Sequence, residues 1–317
     1  MTTPPDPGGP VPGRPRRSRV TLLATLALLA MTASWGSTFF LIHDLLDRVP
    51  VLDFLALRFT IASVAILLVS PRAVRRLSRA RLRHAVVLGA LYGVAQILQT
   101  TGLAHTAASV SGFITGMYVV CTPLLAALLL RSRIGPMTWL AVLLAVVGLG
   151  VLTLGDVSTG HLLGGLGYGE ALTLVSATIY ALHIVGLGAW SSAGDALGMS
   201  IVQCLVIAVI CTTAASPSGL VLPDRAADWV SVTYMALFAG AAALLGQTWA
   251  QAHLAPTRTA IIMSMEPVFA ALFAVLLGGE SATSRMLLGG ALVLTAMLIV
   301  ELVPRRKIEG EVSHIAV

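Results

Sequence analysis

The sequence predicts an all-α integral membrane protein of ten transmembrane helices, arranged as two inverted repeats of five helices. Three observations support this prediction: a composition too apolar for water, apolar segments of helix length, and a similarity between the two halves of the chain. Of the 317 residues, 57% are hydrophobic and only 11% are charged, and the mean hydropathy is +0.91. Soluble domains carry about 25% charged residues, so we expect lipid to be the main solvent of this chain.

Each apolar segment is of the length that a membrane helix requires. A bilayer core of about 30 Å takes about 20 apolar residues, and only helices or closed barrels satisfy their backbone groups in lipid. Since the apolar runs are of helix length, we exclude a barrel. The predicted helices cover residues 20–42, 50–69, 85–104, 107–130, 134–154, 162–189, 196–215, 229–252, 259–277 and 286–300.

The two ends of the chain are predicted to be tails outside the bilayer. Residues 1–19 are rich in Pro, Gly and Arg and are expected to be a disordered basic tail. The run that follows is longer than the 7 to 15 apolar residues of a signal peptide, and nine more apolar segments come after it, so we interpret it as the first membrane helix. The repeats are then predicted at 20–155 and 160–303, with a second tail at 304–317.

The distribution of positive charge predicts the orientation of the chain. With the N-terminus inside, 16 Lys and Arg side chains fall in cytoplasmic stretches and three fall outside, at Arg48, Arg225 and Arg285. Such an excess marks the cytoplasmic side. Both termini are therefore expected in the cytoplasm of a cell with this protein in its inner or plasma membrane. Because the charge is confined to the flanks of apolar helices, the net charge of +6 does not indicate nucleic-acid binding.

The internal similarity pairs polar and aromatic residues in a background of Leu, Ala and Val. An odd number of helices in each half places the second half upside down relative to the first, as in secondary transporters whose repeats enclose a central site. The pairs are Trp35 with Tyr180 and Arg58 with Gln203 at an offset of 145, Gln99 with Gln247 and His105 with His253 at 148, and Pro123 with Pro267 at 144.

Several short motifs occur in a characteristic order. They are Trp35-Gly36-Ser37, Arg58, the run SGFITG at 111–116 before Pro123, and the run MEPVFAAL at 265–272 before Glu280. With these motifs the chain resembles the drug/metabolite transporter superfamily, in its EamA-like branch of ten-helix proteins, over about residues 20–303. The resemblance implies export of small metabolites, amino acids or drug-like compounds without ATP, and the sequence has no Walker A loop. It departs from the family at Arg131-Ser132-Arg133, where an acidic residue is common.

Three charged residues lie more than one helical turn inside predicted helices. A charge at mid-membrane costs at least about 2.5–3.5 kcal/mol, so such residues face the bundle interior or an interface. Arg58 is a candidate ligand for a carboxylate, or a brace between helices. Glu266, beside the helix-loosening Pro267, is a candidate coupling residue, or a packing residue. Glu170 is a candidate for coupling or gating, or an interfacial group, and Pro123 is the repeat equivalent of Pro267.

Polar and aromatic side chains recur along single faces of several predicted helices. Such faces line a hydrophilic path, or they bond helices together at about 0.6–2 kcal/mol per contact. We predict that they line a substrate cavity, and the open alternative is core packing. The candidate cavity residues are Trp35, Arg58, Tyr92, Gln96, Gln99, Thr115, Tyr118, Tyr180, His183, Gln203, Gln247 and Gln251.

These observations favour a secondary transporter that works by alternating access, with protons as one candidate driving ion. The alternatives are a membrane-embedded enzyme, for which the sequence lacks HExxH and GxSxG motifs, and a channel or scaffold. We expect no metal, no cofactor and no catalytic residue, with the cysteines Cys121, Cys204 and Cys211 as core residues. The expected partners are a small-molecule substrate and the lipid bilayer, in a monomer or homodimer.

Overall fold

The chain is helical throughout the part that the computed structural model describes, which comprises residues 15–129, 135–153, 167–192, 194–251, 253–254 and 262–302. Six helical segments in these ranges are long and apolar enough to cross a membrane, and four more are apolar but shorter. By position, these segments fall on the ten predicted ones. The all-α membrane fold is thereby confirmed, whereas ten crossings stay a prediction.

The described residues of the first half form six α-helices, and the first and third of them are longer than predicted. Its helices are α1 (Pro15–Leu46), α2 (Val51–Val69), α3 (Arg79–Leu103), α4 (Ala108–Gly116), α5 (Tyr118–Leu129) and α6 (Pro136–Thr153). α1 thus includes five residues of the predicted tail, because Pro is favoured in a first turn and Arg is a good helix former. α3 begins six residues early, where the Ser78 side chain accepts a hydrogen bond from the Arg81 backbone amide over 3.2 Å.

The second half contains a stretch of π-helix. Its helices are α7 (Tyr168–Trp190), α8 (Ala196–Ala215), α9 (Ala226–Ala236), the π-helix Leu237–Ala242, α10 (Ala243–Gln251), α11 (Glu266–Leu276) and α12 (Ser284–Leu302). The predicted eighth helix is therefore present, but its hydrogen bonding changes from α to π at Leu237 and back to α at Ala243. The start of the predicted ninth helix, residues 259–261, lies outside the described residues.

The predicted fourth helix is interrupted, and the prediction of one continuous helix there is wrong. At Met117 the backbone amide donates to the carbonyl of Ile114 over 3.0 Å, and the amide of Val120 donates to Met117 over 2.9 Å. These are bonds between residues three apart, which tighten the helix locally. α4 and α5 are thus separate helices in one apolar segment.

The helices of the two halves pack in a symmetric pattern, in which each contact described below has an equivalent in the other half. Equivalent helices pack directly against each other in three pairs, α2 with α8, α4 with α11, and α6 with α12. α3 packs on α7 and α8, as the continuous segment α9 to α10 packs on α1 and α2. A two-fold relation between the halves produces this pattern, and five crossings in each half would make the repeats inverted.

Glycine lets α1, α4 and α11 approach closely at the centre. A Cβ atom at Gly36 of α1 would lie 2.5 Å from Cβ of Phe269 and 2.8 Å from the backbone nitrogen of Ala270, both in α11. A Cβ atom at Gly112 of α4 would meet the Cβ of Ala270. Small residues at such contacts allow membrane helices to pack by van der Waals attraction.

Candidate functional site

A polar cavity lies where helices of the two halves meet. Its volume is about 50 Å³, which is room for a few water molecules. Eleven of the sixteen residues predicted for the site line it. They are Trp35, Arg58, Tyr92, Gln96, Gln99, Thr115, Tyr118, Tyr180, His183, Gln247 and Glu266.

Arg58 is the cation of the cavity and is held by the π-helical segment. It is 2% exposed; its Nε donates to the carbonyl of Met235 and its Nη2 to that of Ala239, both over 3.3 Å. Ala239 also accepts a hydrogen bond from the indole Nε1 of Trp35 over 3.0 Å. A π-helical turn frees carbonyls from the α-helical ladder, so this register supplies the acceptors that a buried guanidinium needs.

The Arg58 guanidinium lies against two aromatic rings and has no carboxylate partner among the residues described. Its Cζ is 5.9 Å from the ring centre of Phe54 and 5.3 Å from that of Phe59. The ion pairs of the described chain all involve other arginines. Carbonyls and ring faces therefore stabilise this charge, which stays available to an anionic group in the cavity.

Glu266 supplies a carboxyl group to the same cavity. It is 6% exposed and lies at the first position of α11, where a helix favours negative charge. Its Oε2 accepts a hydrogen bond of 2.9 Å from the hydroxyl of Tyr118. The same hydroxyl lies 3.2 Å from the carbonyl of Met263, so α5 of one half fixes the carboxyl group of the other.

Three buried polar atoms in the cavity wall have no hydrogen-bond partner in the described structure. They are Oε1 of Gln96, Oγ1 of Thr100 and Oε1 of Gln247. Leaving a buried polar atom unpaired costs about 1–3 kcal/mol. All three residues line the cavity, so its wall offers acceptor atoms to a polar solute or to water.

Other polar side chains of the wall are bonded to one another. The hydroxyl of Tyr180 donates to Oε1 of Gln99 over 3.1 Å, and Nε2 of Gln99 donates to Oγ1 of Thr115 over 2.9 Å. The ring of Tyr92 meets those of Tyr180 and His183 at centre distances of 5.4 and 5.1 Å. These contacts fix the aromatic rings that an apolar part of a solute would touch.

Three predicted site residues lie outside the cavity wall. Gln203 is one layer behind, with its Oε1 2.8 Å from Nε2 of His183. Glu170 accepts a hydrogen bond of 2.8 Å from Thr106 at one end of the bundle. Pro267 packs where Gly116 leaves space.

The remaining two predicted residues, Pro123 and Gln251, have side chains outside the described part. Their helices, α5 and α10, are described, so only the backbone positions of these two predictions are known. Neither residue can be assigned to the cavity wall.

Seven residues of the wall were not predicted. They are Thr38, Phe39, Ile42, Thr100, Leu103, Ile184 and Met263. Thr100 follows Gln96 by four residues and therefore shares its face of α3, a pattern that could have identified it. The apolar wall residues could not be predicted, because apolar side chains occur on every face of these helices. The described residues contain no group of His, Cys, Asp and Glu that could hold a metal ion.

The comparisons with known proteins agree with this geometry. The model of the EamA-like transporter family matches residues 22–154 and again residues 167–302, one match in each half. A protein of Archaeoglobus fulgidus, named as an uncharacterized transporter, is 28% identical over 281 residues, which cover 89% of this chain and 86% of that protein.

A crystal structure described only as that of a protein has the same fold. Its TM-score is 0.62 at 20% identity, over 88% of this chain and 96% of that chain. Together with two family matches that span most of the sequence, this settles what the apolar bundle is. The chain is a multi-pass membrane transporter that belongs to the EamA-like transporter family.

Proposed function

We propose that the chain is a secondary transporter that exports a small zwitterionic metabolite of the amino-acid class by alternating access. One observation carries this proposal. A guanidinium from the first half, Arg58, and a carboxyl group from the second half, Glu266, line one cavity, and no ion pair joins them in the described structure.

Each charge suits one end of a zwitterion. Arginine binds carboxylates through a planar fork of N–H donors, and Glu266 is an acceptor for an ammonium group. The aromatic rings of Trp35, Tyr92 and Tyr180 offer apolar and cation-binding surface beside these charges. A drug-like cation would use the rings and Glu266 but would leave Arg58 without an anionic partner, so a zwitterion is the better match.

The size of the cavity supports an alternating-access mechanism. A volume of about 50 Å³ holds a few waters and is too small for an amino acid. The solute therefore enters and leaves only when the halves separate, first on one side and then on the other. Inverted repeats that rock around a midplane site work in this way.

Export and proton coupling complete the proposal. Export is the direction that the family resemblance implies. Glu266 is the carboxyl group of the cavity wall, and we assign to it the transfer of a proton between the two sides of the membrane. Its bond with Tyr118 crosses the junction of the halves. A change of protonation at Glu266 would thus alter a contact that the rocking motion has to break.

Flux in proteoliposomes tests the proposal, with radiolabelled amino acids as the probes and three variants. Arg58→Lys loses the planar fork and should lower saturable flux at least about tenfold, since charged hydrogen bonds contribute about 1.5–3 kcal/mol each. Glu266→Gln should remove the response of flux to a pH gradient. Thr295→Ala is the control, because Thr295 is exposed and bonds only its own helix at Ala291.

Three other outcomes would each contradict a different part of this proposal. No saturable movement of any probe in either direction would refute the proposed transport of amino acids. Conductance without saturation would indicate a channel. Equal flux in all three variants would refute the roles assigned to Arg58 and Glu266.

A further inference from the structure

An ion-pair cluster joins the halves at one end of the bundle. Arg48, between α1 and α2, donates from Nε to Oδ2 of Asp228 over 3.0 Å and from Nη2 to Oδ1 over 2.7 Å. Asp228 is the third residue of α9, and its side chain is only 5% exposed. A second carboxylate, Asp44 of α1, lies 2.6 Å from Nη2 of Arg48 and is 71% exposed.

A second cluster joins the halves at the opposite end. Nε of Arg81, the third residue of α3, lies 3.4 Å from Oδ2 of Asp195, which directly precedes α8. Arg81 also donates from Nη1 to the carbonyl of Trp190, at the end of α7. Ser192 donates to Oδ2 of Asp195 over 2.7 Å. The 19 residues of α2 separate Arg48 from this end of the bundle, a distance of about 28 Å.

The two clusters occupy equivalent positions in the two repeats. Asp195 follows Arg48 by 147 residues, and Asp228 follows Arg81 by 147 residues. Both offsets fall within the 144 to 148 of the internal similarity. Each arginine of the first half thus has an aspartate at the equivalent position of the second half, and each pair links one half to the other. The repeat relation thus places each arginine of one end of the bundle on an aspartate of the other end.

We propose that Arg48–Asp228 and Arg81–Asp195 are the two latches of the transport cycle, each of which must break when the cavity opens at its own end. Both ion pairs are formed in a structure whose cavity measures only about 50 Å³. This inference rests on the alternating access proposed above. It adds four gating residues that lie outside the cavity wall.

The two latches differ in strength. The Arg48 latch is bidentate, nearly buried at Asp228, and its hydrogen bonds with Asp228 and then Asp44 raise the pKa of Arg48, so the guanidinium stays charged. The Arg81 latch has one longer contact between side chains that are 35% and 30% exposed. Short, paired charge contacts are stronger than long, solvated ones. The end with Arg81 therefore opens more readily.

Thiol labelling from each side of the membrane tests the latches without any substrate. Cys121, Cys204 and Cys211 are free and are first replaced with alanine. One reporter, Ile42→Cys, lines the cavity six residues before Arg48. The other, Met263→Cys, lines it beyond the end of α10, on the side of Arg81. The probe is a membrane-impermeant maleimide, applied to right-side-out and to inside-out vesicles.

Asp228→Asn should raise the labelling rate of Ile42→Cys from the side of Arg48 by at least about fivefold, the lower range of couplings between sites. Asp195→Asn should do the same for Met263→Cys from the other side. Asp44→Asn is the matched control, because it removes a partner of Arg48 within the same half and should change neither rate. The exchange R48D/D228R, made together with Asp44→Asn, should restore slow labelling.

The latches are refuted if Asp228→Asn behaves like Asp44→Asn, or if it raises labelling of both reporters equally, as a general loosening would. Failure of the exchanged pair to restore slow labelling also refutes them. If Asp228→Asn does not elute as a monodisperse protein, Asp195→Asn and the exchange R81D/D195R decide in the same way. Absent flux with side-specific labelling would refute only the proposed substrate, since labelling needs none.

Discussion

The close contact of α1 with α11 can be tested by adding one methyl group at Gly36. In Gly36→Ala the new Cβ would lie 2.5 Å from Cβ of Phe269, 2.8 Å from the nitrogen of Ala270 and 2.9 Å from the carbonyl carbon of Phe269. Carbon atoms prefer separations of about 3.5–4.0 Å. Because two of these three atoms are backbone, no side-chain rotation relieves the overlap, and the helices must separate by about 1 Å.

The expected loss of stability follows from two opposing effects. Overpacking costs typically about 1–3 kcal/mol, and contact with backbone places this site near the upper value. Alanine is favoured over glycine inside a helix by about 1 kcal/mol. The net destabilisation is then about 2 kcal/mol, which lowers Tm by about 3 °C, because a chain of 317 residues loses about 1.5 °C per kcal/mol.

The measurement is thermal unfolding in detergent, with Gly188→Ala as the matched control. Gly188 lies inside α7, and a Cβ there would have nothing within 4 Å. This control should keep Tm or raise it by a few degrees, because only helix propensity changes. Flux should fall in Gly36→Ala alone, since Trp35 is adjacent and Glu266 begins the helix that is displaced. Equal Tm in the two variants would refute the close contact.

Three more predictions follow from individual contacts. Glu280→Gln should lower Tm by a few degrees, because Glu280 accepts hydrogen bonds from both the amide and the hydroxyl of Ser109 at the start of α4; an unchanged Tm would contradict this. Gln203→Ala should destabilise the fold by about 1–3 kcal/mol, because Nε2 of His183 loses its buried partner, and thermal unfolding measures this. Deleting Ala241 should return the π-helix to α-helix and abolish flux in folded protein, whereas retained flux would show that the π register is unnecessary.

The sequence predicted the fold through its apolar segments, and this prediction failed where backbone register depends on tertiary contacts. The start of α3 was placed at residue 85, because the preceding arginines are polar even though they are helical. Hydropathy measures transfer free energy and is blind to the interruption at Met117 and to the π-helix. At the π-helix, Arg58 of the first half bonds the carbonyl of Ala239, a contact that local sequence cannot indicate.

The candidate site was predicted mainly from polar and aromatic faces of the predicted helices, and in part from the internal similarity. Trp35 and Tyr180, and likewise Gln99 and Gln247, line the cavity as the repeat suggested. Gln203 does not, because His183 lies between it and the cavity. Whether a polar side chain reaches the cavity depends on which neighbouring side chain lies in front of it, and sequence spacing does not give this.

The residues of the proposed latches have a regular spacing in the sequence, but that spacing alone does not identify them. Arg48 and Asp228 are 180 residues apart, and nothing local connects them. Their equal spacing of 147 from Asp195 and Arg81 becomes meaningful only when the repeat is known and both contacts are seen. The internal similarity did not reveal these two pairs, because the equivalent residues carry opposite charges.

The π-helix also makes the two halves unequal. Arg79 begins α3 and Ala226 begins α9, at an offset of 147, whereas His105 and His253, which each contact the carbonyl four residues before them, are at an offset of 148. One residue has thus been gained between these points, where α9 passes through Leu237–Ala242 into α10. In the alternating access proposed above, two identical repeats would give end states that are related by a two-fold rotation and equal in free energy. A single added residue makes these two states unequal, so the proposed cycle would have a preferred resting side.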